Sequence, residues 1–237
     1  MATILNIETS SSICSVAISR EGVVEFQMED TSGMRHAERL APFIDRCMEE
    51  VHRREMPLDA VAVSLGPGSY TGLRIGLATA KGLCFGLGIP LIGVDTLQLL
   101  AVKAMFRSMD WQGDEILIPM VDARRMEVYT CACDFALNEL MPPGPMILDA
   151  DSYRELRDTG KAYFMGDAVE KARTVIDAPA DHWIDNIRAH ARDMVALSEK
   201  AFREGNFIDV AYSVPLYRKE YQTTKPRNKV LSEAVKG

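Results

Sequence analysis

The residues best suited to chemistry lie in Gly66-Pro67-Gly68-Ser69-Tyr70-Thr71-Gly72-Leu73-Arg74-Ile75-Gly76. A glycine-rich turn between a strand and a helix points backbone N–H groups at an anion, and the helix N-terminus adds partial positive charge. Gly66, Gly68, Ser69, Thr71 and Arg74 are therefore candidate anion-binding residues. The stretch is neither a Walker A loop nor a G-x-G-x-x-G fingerprint, so a structural turn is the competing reading. Two acids, Glu8 in Ile-Glu-Thr-Ser-Ser-Ser and Asp122 in Val-Asp-Ala-Arg-Arg, fall at the ends of apolar runs. Carboxylates there suit a Mg-bound phosphate, or simply cap a turn.

Other chemistries find little support. The histidines His36, His52, His182 and His190 contain no pair at i+3 to i+5, and Cys131-Ala-Cys133 has no second cysteine pair, so no metal site is expected. Ser69 has no histidine near it in sequence and no G-x-S-x-G elbow surrounds it. His36 reads as a polar residue at a helix start.

The elements that must hold these residues follow from periodicity. Thr3–Ile7, Cys14–Ser19 and Val23–Met28 read as strands joined by short turns. In His36–Arg54, Ala37, Leu40, Ala41, Ile44, Cys47, Met48 and Val51 form one amphipathic face, and Pro42 predicts a kink or a late helix start. Ala60–Leu65 leads into the glycine-rich turn, a helix follows over Thr71–Leu87, then a strand at Leu91–Val94 and a helix at Thr96–Phe106. This is an α/β lobe of about 105 residues. A second lobe begins near Gly113, dividing the chain into 1–108 and 109–237. Its expected parts are strands at Ile116–Val121 and Glu127–Phe135, a Pro142-Pro143-Gly144-Pro145 loop, a short helix capped by Ser152, a strand at Tyr163–Met165 and a helix at Ala189–Glu204. Strand–turn–strand occurs twice, each time with an acid ending the first strand, which hints at a duplicated fold.

The second helix carries Gly72, Gly76, Ala80, Cys84 and Gly88 in one i+4 row. Gly72, Gly76 and Gly82 together forgo roughly 3 kcal/mol of helix propensity. Close packing must offset that, either within the chain or against a helix of a partner.

Composition narrows the class. With 237 residues, 47% hydrophobic and 26% charged, the chain is ordinary globular material. No run approaches the roughly 20 apolar residues of a membrane span. The start lacks the basic flank of a secretory signal. Five cysteines, an odd number, then read as reduced thiols of a cytoplasmic protein. A net charge of −7 disfavours a free-standing nucleic-acid binder. From Arg218 onward six basic residues face two acids, so a basic tail follows an acidic body.

Taken together, several segments resemble the TsaB (YeaZ) family of bacterial tRNA threonylcarbamoyladenosine biosynthesis proteins. They are the Ile-Leu-Asn-Ile-Glu-Thr-Ser at 4–10, Arg35-His36-Ala37-Glu38-Arg39-Leu40-Ala41-Pro42, the 66–76 stretch, Pro90-Leu91-Ile92-Gly93-Val94, Val121-Asp122-Ala123-Arg124 with Glu127-Val128-Tyr129, and Val214-Pro215-Leu216-Tyr217-Arg218. The resemblance runs end to end and is weak over about 138–213. It implies a two-lobed actin-like ATPase fold, built from duplicated RNase H-like halves with the second shortened. It implies a non-catalytic paralogue that binds the catalytic subunit TsaD. With the ATPase TsaE, that pair adds a threonylcarbamoyl group to N6 of adenosine 37 in tRNAs reading codons that begin with A, using a donor made elsewhere from threonine, bicarbonate and ATP.

The catalytic paralogue continues its Pro-Leu-Ile-Gly-Val-like segment with a metal-binding His-x-x-x-His. Here Thr96 and Leu100 stand in those places, and neither is a transition-metal ligand. The late glycine-rich adenosine stretch is missing too, since only Gly166, Gly205 and Gly237 follow residue 160. The family pattern places partner contacts on the two helices of the first lobe, here His36, Leu40, Ile44 and Met48 with Gly72, Gly76, Ala80 and Cys84. It also implies a homodimer when the chain is alone, tRNA contact through the complex, and no cofactor of its own, ATP and Mg²⁺ being used by the partner subunits. Two other classes stay open: an ATP-dependent small-molecule kinase working through Glu8 and Asp122, and a peptidase.

Overall fold

The computed structural model describes residues 2–33, 35–107 and 110–216, so the basic stretch from Arg218 lies outside the described residues. Alternating apolar residues make β1 (Thr3–Glu8), β2 (Cys14–Arg20) and β3 (Val23–Asp30) an antiparallel meander. Its tight turn puts Glu21 and Gly22 at positive φ, as two-residue hairpins require. Then follow α1 (His36–Arg53), β4 (Ala60–Gly66), α2 (Tyr70–Leu87), β5 (Leu91–Asp95) and α3 (Thr96–Met105). β4 lies parallel to β1 and β5 parallel to β4, giving the order β3-β2-β1-β4-β5.

The second half retraces that path. β6 (Ile116–Asp122), β7 (Glu127–Cys133) and β8 (Glu139–Ile147) form the meander. After α4 (Arg154–Arg157) comes β9 (Ala162–Gly166), and after α5 (Val169–Ala172) comes β10 (Trp183–Ile184), closing the sheet β8-β7-β6-β9-β10. The last helix among the described residues is α6 (Val195–Glu204), stopped by Gly205 in the left-handed region. The two sheets share one strand plan, as expected of a duplicated actin-like fold. Only the crossovers differ: 18 residues in each of α1 and α2, four in each of α4 and α5.

Period-two alternation sorts the first sheet. Leu5, Ile7, Val16, Val61 and Val63 face α1 and α2, while Ile4, Ala17, Ala62 and Val94 face the opposite way. Those inner residues meet Leu97, Leu99, Leu100 and Ala104 of α3, which also pack on Leu117, Val121 and Met165 of the second sheet. A third cluster, with Ile118, Phe164 and Trp183, covers the outer face of that sheet.

Four expectations need correction. The Pro142-Pro143-Gly144-Pro145 segment belongs to β8 and is not a loop. β8 is an edge strand, and its pairing jumps from Thr130–Gly144 to Ala132–Met141, so Pro142 and Pro143 sit in a bulge where no ladder donor is required. Ser152 does not cap α4; its hydroxyl closes a turn on Asp149, and Tyr153 precedes the helix in the left-handed region. Residues 189–194 do not belong to the last helix. His190 is extended and Ala191–Met194 is a 3-10 turn, because Ala191 N–H bonds to Ser15 Oγ and His190 Nδ1 lies 3.0 Å from Glu29 Oε2. α1 begins at His36 and runs through Pro42, which therefore does not delay its start.

Gly82 lies in the interior of α2, and a Cβ there would meet no atom within 4 Å. Gly82→Ala is therefore expected to stabilise the isolated chain by about 0.5–1 kcal/mol, read as a higher urea midpoint at unchanged slope.

Candidate functional site

The glycine-rich turn closes on its own chain. Ser69 N–H donates to Ser10 O at 2.6 Å, and Ser69 Oγ caps α2 by accepting from Gly72 N–H at 3.2 Å. A Cβ on Gly68 would collide with Ser10 O, one on Gly72 with Thr9 O, and one on Gly76 with Thr9 Oγ1. Thr9 Oγ1 in turn donates to Gly72 O at 2.9 Å. At Gly68 and Gly72 a backbone passes directly over a backbone, and at Gly76 the helix backbone passes over the Thr9 side chain. From α1, His36 Nε2 reaches Ser11 O at 2.9 Å, and burial holds this histidine below its usual pKa.

The inner row is thus an intramolecular feature, and the expected docking residues need correction. Gly72, Gly76, Ala80 and Cys84 are buried against the chain's own strands and loop, as are His36, Leu40 and Ile44, while Met48 is half-buried beside them. Apart from the partly open Met48, none of these presents an outward face. The outward side of α2 carries Thr71, Arg74, Ala78, Gly82, Phe85 and Gly86. Ala78, Gly82 and Gly86 form a second i+4 row of small residues, and among the described residues nothing lies within 4 Å of a Cβ on either glycine. Phe85 is 86% exposed, with Tyr70 and Leu87 also open to solvent. Arg74 stacks over the Tyr70 ring and donates to its hydroxyl at 2.6 Å. Ala37, Ala41 and Pro42 are exposed on α1, which packs on the same side of the sheet. This outer row was missed although Gly82 and Gly86, four residues apart and out of phase with Gly72 and Gly76, signal it.

The two acids end equivalent strands but meet different fates. Glu8 is completely buried; Oε1 accepts from Ser10 N–H at 2.5 Å and Oε2 has no partner. Burial pushes its pKa up, against the opposing hydrogen bonds from Ser10 and Ser64. Asp122 is exposed but ion-paired with Lys171, and its N–H donates to Asp167 Oδ1 at 2.8 Å. Between the lobes, the Ser10–Ser12 turn, Thr96, Leu100, Asp167 and Arg188 surround a cavity of about 30 Å³. Thr96 and Leu100 lie one helical turn apart on that wall, and Thr96 Oγ1 has no hydrogen-bond partner. Ligand pockets for molecules of nucleotide size run to roughly 300–1,000 Å³. Sealed Glu8, paired Asp122 and a cavity with room for about one water do not fit Mg-ATP. A cavity of about 710 Å³ between Glu21, Lys103, Phe106 and Arg203 brings none of the candidate residues together. Among the described residues no group of three or more His, Cys, Asp or Glu is placed to hold a metal ion, and no helix is long and apolar enough to cross a membrane.

The chain is similar to several known proteins. Residues 29–143 match the family described as TsaD, tRNA N6-adenosine threonylcarbamoyltransferase. The tRNA threonylcarbamoyladenosine biosynthesis protein TsaB of Escherichia coli is 35% identical over 126 residues, 53% of this chain and 52% of that protein. The TsaB of Bacillus subtilis is 31% identical over 167 residues, 69% of this chain and 70% of that protein. The match thus spans about half the length of the first relative and just over two thirds of the second. The structure of YeaZ from Pseudomonas aeruginosa superposes with a TM-score of 0.71 at 25% identity, covering 92% of this chain and all of that one. A 31% match across 70% of a TsaB, together with a fold shared over nearly the whole chain, places this protein in the TsaB (YeaZ) family.

Proposed function

We propose that the chain is a non-catalytic scaffolding subunit, which docks a TsaD-type catalytic subunit through the outward faces of α1 and α2. With a TsaE-type ATPase, that assembly would place a threonylcarbamoyl group on N6 of adenosine 37 of tRNAs reading codons that begin with A. The observation that carries this reading is the outer row of α2. Gly82 and Gly86 sacrifice helix propensity with nothing packed against them among the described residues, beside the largely exposed Phe85. A helix from another chain can approach such a row closely and bury the phenyl ring. The kinase reading is not supported by the state of Glu8 and Asp122. Nor is the peptidase reading: among the described residues no serine hydroxyl hydrogen-bonds a histidine ring.

Docking is tested by co-purification with the TsaD-type subunit of the same organism. Gly82→Leu is expected to fold normally and to abolish the complex, since the added side chain enters open space on the docking face. Gly76→Leu is expected to unfold the chain itself, because its side chain enters Thr9. An intact complex with both Gly82→Leu and Phe85→Glu would overturn the docking reading.

If Glu8 is a buried structural acid and not a reactive one, it leaves a pH signature. Its folded pKa is raised, so wild type carries no penalty below the unfolded value of 4.5 and loses stability as pH rises through the folded value. Glu8→Gln removes that slope. As pH rises above 4.5 the stability of wild type relative to Glu8→Gln is expected to fall in urea titrations. Parallel pH profiles would show that the carboxyl is not held in a desolvated site.

A further inference from the structure

Beyond α6 the chain wraps around the edge of the first sheet. Phe202 of α6 packs with the inner cluster that contains α3, whereas Ile208, Val210 and Leu216 pack with the outer cluster under α1 and α2. Ile208 N–H donates to Leu91 O of the edge strand β5, and Leu216 N–H donates to Leu65 O of β4, both at 2.8 Å. Between these anchors the chain makes one tight turn. Asp209 Oδ1 accepts from Ala211 N–H and Tyr212 N–H at 2.7 Å each, and Asp209 O accepts from Ser213 N–H at 3.1 Å. From α2, Lys81 Nζ donates to Ala211 O at 2.8 Å and to Ser213 O at 3.0 Å. One carboxylate holds the turn from within and one ammonium holds it from the side, yet Tyr212 is 86% exposed.

Helix residues three and four apart are surface neighbours, and Lys81 is three from Ala78, four from Phe85 and next to Gly82. The turn that Lys81 holds therefore borders the outward row of α2. A row of small residues lets a partner helix come close but offers it little apolar area, so the anchoring side chains must stand beside the row. Phe85 is one such side chain, and the turn brings Tyr212 and the exposed Val214 to the same border. We propose that the Asp209–Ser213 turn is a third part of the docking surface, with Tyr212 an anchor for the TsaD-type subunit and Lys81 the residue that positions it. A tyrosine on an ordered turn buries a large ring at small entropic cost, as interface anchors do. This inference rests on the docking reading of α1 and α2, and its warrant is the continuity of the turn with that face through Lys81.

Titration calorimetry of the full chain against the TsaD-type subunit of the same organism tests it. Tyr212→Ala is expected to keep the urea midpoint of wild type, since its ring is exposed, and to weaken binding about tenfold or more. Lys81→Met is expected to weaken binding several-fold, and Lys81→Arg, whose guanidinium can still donate to both carbonyls, to recover most of the loss. Wild-type affinity in Tyr212→Ala, or in Lys81→Met, overturns the inference. If Gly82→Leu abolishes binding while Tyr212→Ala does not weaken it, the docking reading stands without the turn. If Gly82→Leu and Phe85→Glu also bind as wild type does, the docking reading falls with it. Loss of self-association in Tyr212→Ala at undiminished affinity for the TsaD-type subunit would assign the turn to a second copy of this chain and equally overturn the inference.

Discussion

Where Gly68 and Gly72 pass over Ser10 and Thr9, main chain touches main chain with no side chain between, and Gly76 makes room for the Thr9 side chain. That contact sets the rotation of α2 about its own axis. With Gly72, Gly76, Ala80 and Cys84 turned to the sheet, Ala78, Gly82 and Gly86 must face outward. The same segment receives His36 from α1, so the start of both long helices is fixed against one short piece of chain. The glycine-rich stretch looks like an anion cradle in sequence, and its Ser69 N–H is instead spent on Ser10.

The two halves of the chain show how one strand plan can be completed in two ways. In the first, 18-residue crossover helices cover one face and the strand-ending Glu8 is sealed away. In the second, four-residue crossovers leave the turn after β6 open, and Asp122 is neutralised from α5. Loss of helix length thus changes which interactions stabilise a strand end, from burial and backbone hydrogen bonds to an ion pair. The ordinary charged loop and the ordinary buried loop occupy equivalent places in the topology.

Most of the framework was legible in the sequence because its signals are local. Apolar runs marked β1, β2, β4 and β6, alternation marked β7, and Gly88 and Gly205 marked helix ends. The errors arose where a distant partner decides the outcome. Residues 189–194 carry a helical pattern, but Ser15 and Glu29 hold them extended. The prolines of β8 read as a loop because the bulge that accommodates them depends on pairing with β7. Of the site, both acids were found at their strand ends, yet Lys171 is 49 residues from Asp122 and nothing in the linear pattern joins them. The small-residue row was visible, and which of two rows faces outward was not. Helical phase names the faces without saying which one the sheet takes.

The position of α3 has a mechanical consequence. Its apolar residues are shared by both sheets, so the same side chains serve as the interior of each half. Lys103 adds a polar lock, bonding to Asp193 and to Arg188 O across that layer. Jaw-like opening of the halves would pull this common layer apart and expose leucines on both sides. The layer that α3 supplies therefore couples the two halves, and a cavity made in it would loosen both sheets at once.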